Sequence, residues 1–258
     1  MNAPDSIQLV ELFHLIFLDL LGRKIDKRYY VLKGGCNLRF FLKSFRYSED
    51  MDIDVQRIPK EKLEETVNSI IASATFRQIL KVNRLSVEKW SAPKQTETTQ
   101  RWKFTIMSEQ NKTGIPTKIE FSRRGFKGGT LFDAVAPLVI QKYSLSPIMA
   151  NHYDIQSAFG QKVEALATRR ITQARDVFDL NLLLCSGAKP IVEDSRLLGM
   201  LGDAKANAMS VTFPAFKSQV LSYLAADYRQ QYDSESVWDD IVLKVVEALE
   251  KSQLKNES

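Results

Sequence analysis

Ser48-Glu49-Asp50-Met51-Asp52-Ile53-Asp54-Val55 alternates acidic and apolar side chains without a break from Asp50 to Val55. On an extended strand successive side chains point to opposite faces. Asp50, Asp52 and Asp54 therefore share one face, while Met51, Ile53 and Val55 turn into a core. Neighbouring carboxylates on one face sit about 7 Å apart and repel by about 2 kcal/mol at an effective dielectric of 20. Water on an open strand face relieves that repulsion. So does a hard cation such as Mg²⁺, which takes oxygen ligands and bridges to substrate phosphates. The octet by itself admits both.

Upstream, the β-prone run Tyr29-Tyr30-Val31-Leu32 leads into Lys33-Gly34-Gly35-Cys36-Asn37, and Leu38, Phe41 and Leu42 suggest a short helix. Glycines let a backbone approach a ligand closely, and a following helix N-terminus offers free N–H groups to an anion. An ordinary tight turn has the same sequence. Strand, glycine turn, short helix and acidic strand together place a phosphate cradle beside a cation site. That combination serves phosphoryl or nucleotidyl transfer, where positioning and charge neutralisation supply most of the catalysis. A two-metal site needs a third carboxylate from a neighbouring strand. Glu120, alternating with Ile119 and Phe121, is the best candidate. An exposed strand glutamate paired with a lysine is the plainer reading.

The remaining pattern frames this unit. Residues 6–22 read as an amphipathic helix with Val10, Phe13, Phe17, Leu20 and Leu21 on one face, Asp5 or Ser6 as its cap and Gly22 past its end. Pro59 opens a second helix with Leu63, Val67, Ile70 and Ile71 as its apolar face. Leu85–Trp90, Arg101–Met107 and Pro116–Ser122 are β-like, with hairpin loops at Lys94–Gln100 and Ser108–Gly114, and a basic loop at Ser122–Gly129. Helical periodicity follows over 155–170, 172–186, 191–201, 213–226 and 235–252, and Lys251–Ser258 reads as a frayed tail. The chain thus divides into an α/β domain, 1–145, and a helical domain, 146–258.

With 258 residues, 44% apolar and 26% charged, the chain can bury a sizeable core without disulfides. Two cysteines far apart in sequence and two histidines show no legible disulfide framework or zinc cluster, so metal chemistry is expected to rest on carboxylates and hard cations. The net charge of +5 permits nucleic-acid or polyphosphate binding, as it permits a basic surface kept for solubility. No signal peptide and no membrane span is legible, and a reducing cytoplasm is the expected location.

Two blocks carry a family resemblance. Lys33-Gly34-Gly35 followed by Arg46-Tyr47-Ser48-Glu49-Asp50-Met51-Asp52-Ile53 resembles the KGG turn and R-x-S-E-D-h-D-h strand (h apolar) of the AbiEii/AbiGii nucleotidyltransferase toxins. Gln161-Lys162-Val163-Glu164-Ala165-Leu166, Arg170, and Ala174-Arg175-Asp176-Val177-Phe178-Asp179-Leu180 resemble that family's K-x-x-A-L run, arginine and R-D-h-x-D-L run. The resemblance spans roughly residues 30–185 and implies an α+β fold: a polymerase-β-like core, a mixed sheet flanked by helices, then an α-helical C-terminal domain. It implies Asp50, Asp52 and Glu120 as Mg²⁺ ligands, and a nucleoside triphosphate held by Lys33, Gly34, Gly35, Cys36, Asn37, Ser48 and Lys162. Asp176 would orient Lys162 or act as a base. Arg175, Asp176 and Asp179 also fit a structural ion-pair network.

Cys36 departs from the Ser or Thr that related nucleotidyltransferases place after the glycines. A thiol is a weak donor, so the phosphate contact would fall to Asn37 or to backbone N–H groups alone. Asp54 leaves open a metal pair of Asp52 and Asp54, although Ser48-Glu49 sets the register in favour of Asp50 and Asp52. The expectation is a toxin of a toxin–antitoxin system, a Mg²⁺-dependent enzyme that transfers a nucleotide to an acceptor hydroxyl. RNA, in particular tRNA, is the favoured acceptor, and a cognate antitoxin is encoded nearby. The alternatives are transfer to a small molecule of the aminoglycoside kind, and a non-catalytic nucleotide- or partner-binding module on the same fold.

Overall fold

The computed structural model describes residues 6–109, 113–190 and 194–254, the side chains of 253 and 254 excepted. Asp5 as a cap, part of the 108–114 loop, the start of the expected 191–201 helix and the end of the tail lie outside the described residues. The described chain forms two compact units: residues to Phe41 with Tyr47–Tyr153, and Leu42–Arg46 with Asp154 onward.

The first unit is a helix-backed sheet. Helix α1 (Ser6–Lys24) is buried on nearly every side rather than along one stripe, because it packs against helices and strands alike. It runs through Gly22, where the sequence pattern placed its end; a Cβ there would meet the Tyr30 hydroxyl at 3.0 Å. After a 3₁₀ turn come β1 (Tyr30–Lys33), α2 (Gly34–Phe40) and β2 (Asp50–Val55). Two helices follow, α3 (Lys60–Ala72) and α4 (Ala74–Val82), the second unmarked by the sequence reading. Ser73 separates them and caps α4 by accepting from Phe76 N–H. Strands β3 (Leu85–Gln95), β4 (Thr99–Ser108) and β5 (Ile115–Ser122) are longer than their apolar alternation suggests, so the Lys94–Gln100 loop shrinks to a tight turn.

Three further elements complete the unit: β6 (Thr130–Ala134), α5 (Pro137–Lys142) and β7 (Met149–Tyr153). The seven strands run in the order β3-β4-β5-β2-β1-β7-β6, with β2–β5 and β1–β7 parallel and the other pairs antiparallel. Strand β7 carries the first unit to Tyr153, past the boundary expected at 145. Its short, polar sequence (Met-Ala-Asn-His-Tyr) takes a strand's place only because β1 and β6 flank it.

The second unit is helical: α6 (Ile155–Thr168), α7 (Ala174–Cys185), α8 (Ser195–Leu198), α9 (Leu201–Ser210), α10 (Phe213–Gln219), α11 (Ala226–Tyr232) and α12 (Glu235–Leu254). Asp154 caps α6 by accepting from Ser157 N–H. Phe178, Phe216 and Trp238 form its aromatic centre, with Phe216 stacked on Trp238. The inserted segment 42–46 belongs to this unit: Phe45 stacks on Tyr228 and meets Phe178 edge-on. The mixed sheet with flanking helices, followed by helices, is the architecture expected from the sequence. No helix among the described residues is long and apolar enough to cross a membrane.

Candidate active site

The acidic octet folds as its alternation dictates. Met51, Ile53 and Val55 are buried, and Asp50 and Asp52 face the open side of β2. Because β2 runs parallel to β5, Asp52 is in register with Glu120 and Asp50 with Lys118. Registered residues share a face, so three carboxylates from two adjacent strands lie on one surface. Lys118 Nζ donates to Asp50 Oδ2 at 2.7 Å, and Arg101 Nε to Glu120 Oε2 at 2.5 Å. Asp52 makes no side-chain hydrogen bond or ion pair with any other described residue. Burial pushes its carboxyl above the ordinary range, the cations of Lys33 and Lys118 oppose this, and Asp50 and Glu120 add to the rise.

The glycine turn sits directly against that free carboxylate. Gly34 has φ +65°, and a Cβ there would lie 3.0 Å from Asp52 Oδ2. A side chain at this position would be strained and would crowd Asp52. Lys33, in register with Asp52 across β1–β2, turns its ammonium to Asp54 Oδ1 at 2.6 Å. Asp54 Oδ2 accepts from the Tyr153 hydroxyl at 2.7 Å, and Lys127 N–H donates to that same hydroxyl at 3.0 Å. Asp54 is 6% exposed, with Oδ1 in the ion pair and Oδ2 in the hydrogen bond, which separates it from the Asp50–Asp52 pair.

Cys36 and Asn37, both expected among the residues that hold the triphosphate, have side chains committed within the protein instead. Asn37 is buried, donates to the Tyr153 carbonyl at 2.9 Å and pairs with His152. The Cys36 thiol is buried, donates to the Asp50 carbonyl at 3.3 Å, and is held well above its ordinary pKa, by burial first and then by Asp52. Ser48 Oγ donates to the same carbonyl at 2.8 Å, and Thr117 Oγ1 donates to the Glu49 carbonyl at 2.7 Å. Thr117 has then spent its proton, so its bond to His14 Nε2 at 2.8 Å makes His14 the donor. Burial pulls the His14 pKa from 6.5 to about 4, against Asp50, so the ring is neutral. The start of β2 is thus gripped through its carbonyls by buried polar groups. Cys36 can replace a hydroxyl there because its partner is a carbonyl.

Lys162 and Asp176 stand in the second unit, in a network of their own. Lys162 Nζ lies 3.0 Å from Asp176 Oδ1 and 2.6 Å from Asp179 Oδ2. Arg169 donates to Asp176 Oδ2 at 2.6 Å, and Arg46 clamps Asp179 with two bonds of 2.8 Å. Both aspartates are fully buried. Burial would raise the Asp179 carboxyl, but Arg46 and Lys162 outweigh it and bring it down to about 2. With each oxygen of Asp176 taken, its geometry suits orienting Lys162 rather than proton abstraction. The arginine of this network is Arg169. The sequence reading missed Lys118, Arg101, Arg169 and Tyr153. Lys118 was in reach, since it lies two residues from Glu120 on one strand and so on one face.

Residues 16–219 match the family described as Nucleotidyl transferase AbiEii toxin, Type IV TA system. The chain belongs to the AbiEii nucleotidyltransferase toxins. No curated protein matches it in sequence. Among solved structures, the AbiEii fold is shared with the nucleotidyltransferase toxin MenT4 of Mycobacterium tuberculosis H37Rv, at TM-score 0.67 and 18% identity, over 95% of this chain and 84% of that one. A putative nucleotidyltransferase from Helicobacter pylori gives TM-score 0.59 and 18% identity, over 99% and 98%. JHP933 from Helicobacter pylori gives 0.58 and 17%, over 99% and 95%. An AbiEii protein is a nucleotidyltransferase, uses a nucleoside triphosphate and belongs to a toxin–antitoxin pair.

Among the described residues no group of three His, Cys, Asp or Glu side chains stands gathered as a metal cluster. The carboxylate face nonetheless suits a hard cation. Asp52 is free and half-buried, Asp50 is its same-face neighbour, and the balancing charge on Asp50 is carried by a flexible lysine.

Proposed function

We propose that this AbiEii protein is a Mg²⁺-dependent nucleotidyltransferase acting on RNA, with tRNA the favoured acceptor, inside the cytoplasm and under the control of an antitoxin encoded nearby. The observation that supports it is Asp52, which the β2–β5 register sets beside Glu120 on one side while the Gly34 turn lies against it on the other. The acceptor hydroxyl attacks the α-phosphorus. A new P–O bond forms, the bond to the β-phosphate oxygen breaks, and pyrophosphate leaves with that electron pair.

Asp50 and Asp52 would hold Mg²⁺, with Glu120 as the third carboxylate. When bound, the metal supplies charge neutralisation at the phosphates and a lowered pKa for the attacking hydroxyl. A carboxylate of this face would take that hydroxyl's proton. Gly34 and Gly35 keep the backbone low enough for the triphosphate to approach, with no side chain capping the start of α2. Lys33, steadied by Asp54, presents a cation to the phosphates. Lys162 is carried as a second phosphate contact, oriented by Asp176 and Asp179.

The test is incubation of the protein with Mg²⁺, each labelled nucleoside triphosphate in turn and total cellular RNA, beside Asp52→Ala. Label on RNA from the wild type alone supports the reading, and the labelled band names the acceptor. Nucleotide binding without label on RNA from any nucleotide refutes it.

A further inference from the structure

The strand register carries the open face of the carboxylates sideways across the sheet. Lys118 and Glu120 on β5 stand opposite Lys103 and Arg101 on β4. Those two stand opposite Ser91 and Lys94 on β3, with Lys89 opposite Thr105 further along. Registered neighbours share a face. Burial agrees: Trp102, Phe104 and Ile106 fill the core side of β4, while Lys103 is exposed. Two bulges in β3, between Val87 and Lys89 and between Ser91 and Lys94, bring Lys89 and Lys94 onto this face. Strict alternation from Val87 would turn Lys89 inward, and strict alternation from Ser91, already on the open face, would turn Lys94 inward; re-aiming a side chain is what a bulge does.

Five cations therefore spread across three strands from the carboxylates: Lys118, Arg101, Lys103, Lys94 and Lys89. Lys118 and Arg101 are paired with Asp50 and Glu120. Lys103, Lys94 and Lys89 make no side-chain hydrogen bond or ion pair with any other described residue. Lysines on the edge strand β3 also discourage edge-to-edge pairing. That does not account for Lys103, which lies on an interior strand.

We infer that this face is the track on which the acceptor RNA strand lies as its end reaches the carboxylates, an inference that rests on the RNA acceptor proposed above. Three strand spacings of about 4.8 Å make a track of about 14 Å, long enough to meet several backbone phosphates. The chemistry is that of a phosphate backbone met by three unpaired cations, Lys103, Lys94 and Lys89, beside two paired ones. Without them, a polyanion would be repelled by the acidic patch it must approach.

Counterion release gives the expected size of the effect. A single strand shows a slope of log K against log salt of about −0.7 per phosphate neutralised. Removing three contacts flattens the slope by about 2 and weakens binding about 100-fold at roughly 0.1 M salt. The experiment compares the wild type, Lys89→Ala/Lys94→Ala/Lys103→Ala, and a charge-matched control, Lys24→Ala/Lys81→Ala/Lys251→Ala. Each is titrated with a labelled single-stranded RNA oligonucleotide across a salt series, and thermal stabilisation by nucleoside triphosphate and Mg²⁺ checks the fold. Loss of affinity and slope in the track variant alone supports the inference. Equal loss in the control reduces the effect to general charge and overturns it. Full affinity in the track variant, while the wild type labels RNA, overturns the track and leaves the acceptor reading standing. A wild type that neither binds nor labels RNA overturns both.

Discussion

Replacing Gly34 by alanine perturbs the candidate site through a single methyl group. Gly34 has φ +65°, and the new Cβ would lie 3.0 Å from Asp52 Oδ2. Left-handed backbone costs a non-glycine residue about 1–2 kcal/mol. Relaxing the contact to a comfortable separation of about 3.5 Å moves the carboxylate by about 0.5 Å. A displacement of about 1 Å costs a reaction about 10²-fold, so half of it costs on the order of tenfold, or about 1.4 kcal/mol. Gly187→Ala isolates the backbone part, since Gly187 has φ +98° and open space around its Cβ position. Both variants should lose about 2–8 °C in Tm, read by differential scanning calorimetry. Only Gly34→Ala should lose about tenfold in kcat/KM for nucleotide transfer. Equal activity in the two variants would refute the coupling of the glycine turn to Asp52.

Asp52→Asn should abolish transfer yet raise the Tm of the metal-free protein at pH 7. The folded carboxyl has a raised pKa, so its charged form costs stability above the ordinary carboxylate range, and the gain should vanish as pH falls below that range; a lower Tm at pH 7 would contradict the assignment. His14 runs the other way. With its pKa pulled from 6.5 to about 4, its contribution is complete above pH 6.5 and is lost as pH falls towards 4. Urea unfolding should show the wild type losing roughly 3 kcal/mol over that window relative to His14→Gln; parallel pH curves would rule this out. Arg46→Ala leaves Asp179 buried with Lys162 as its remaining ion-pair partner, and chemical denaturation should show a cost of about 3–5 kcal/mol. Arg46→Met combined with Asp179→Leu should recover part of it, and a cost under about 1 kcal/mol for the single variant would mean that water relieves the site.

The sequence by itself determined what depends on parity and local conformation. Six residues alternating between acid and apolar could form only a strand with its aspartates on one side, and two glycines before a short helix marked a close backbone approach. Helix α1 shows the limit of periodicity. Its apolar stripe was visible, but burial all around it depends on what packs against its other sides. Strand β7 shows the same limit, since its polar residues become a strand through neighbours brought from distant segments.

Which acidic groups remain free was decided only by tertiary structure. Asp50, Asp52 and Asp54 are equivalent in the sequence pattern, yet one pairs with Lys118 from β5, one is free beside Gly34, and one is held by Lys33 and Tyr153. Arg46 finds Asp179 across 133 positions of sequence, and Asn37 is committed to Tyr153 and His152. Alternation fixes the direction of a side chain, whereas its charge state and freedom depend on partners that the chain supplies only once it is folded.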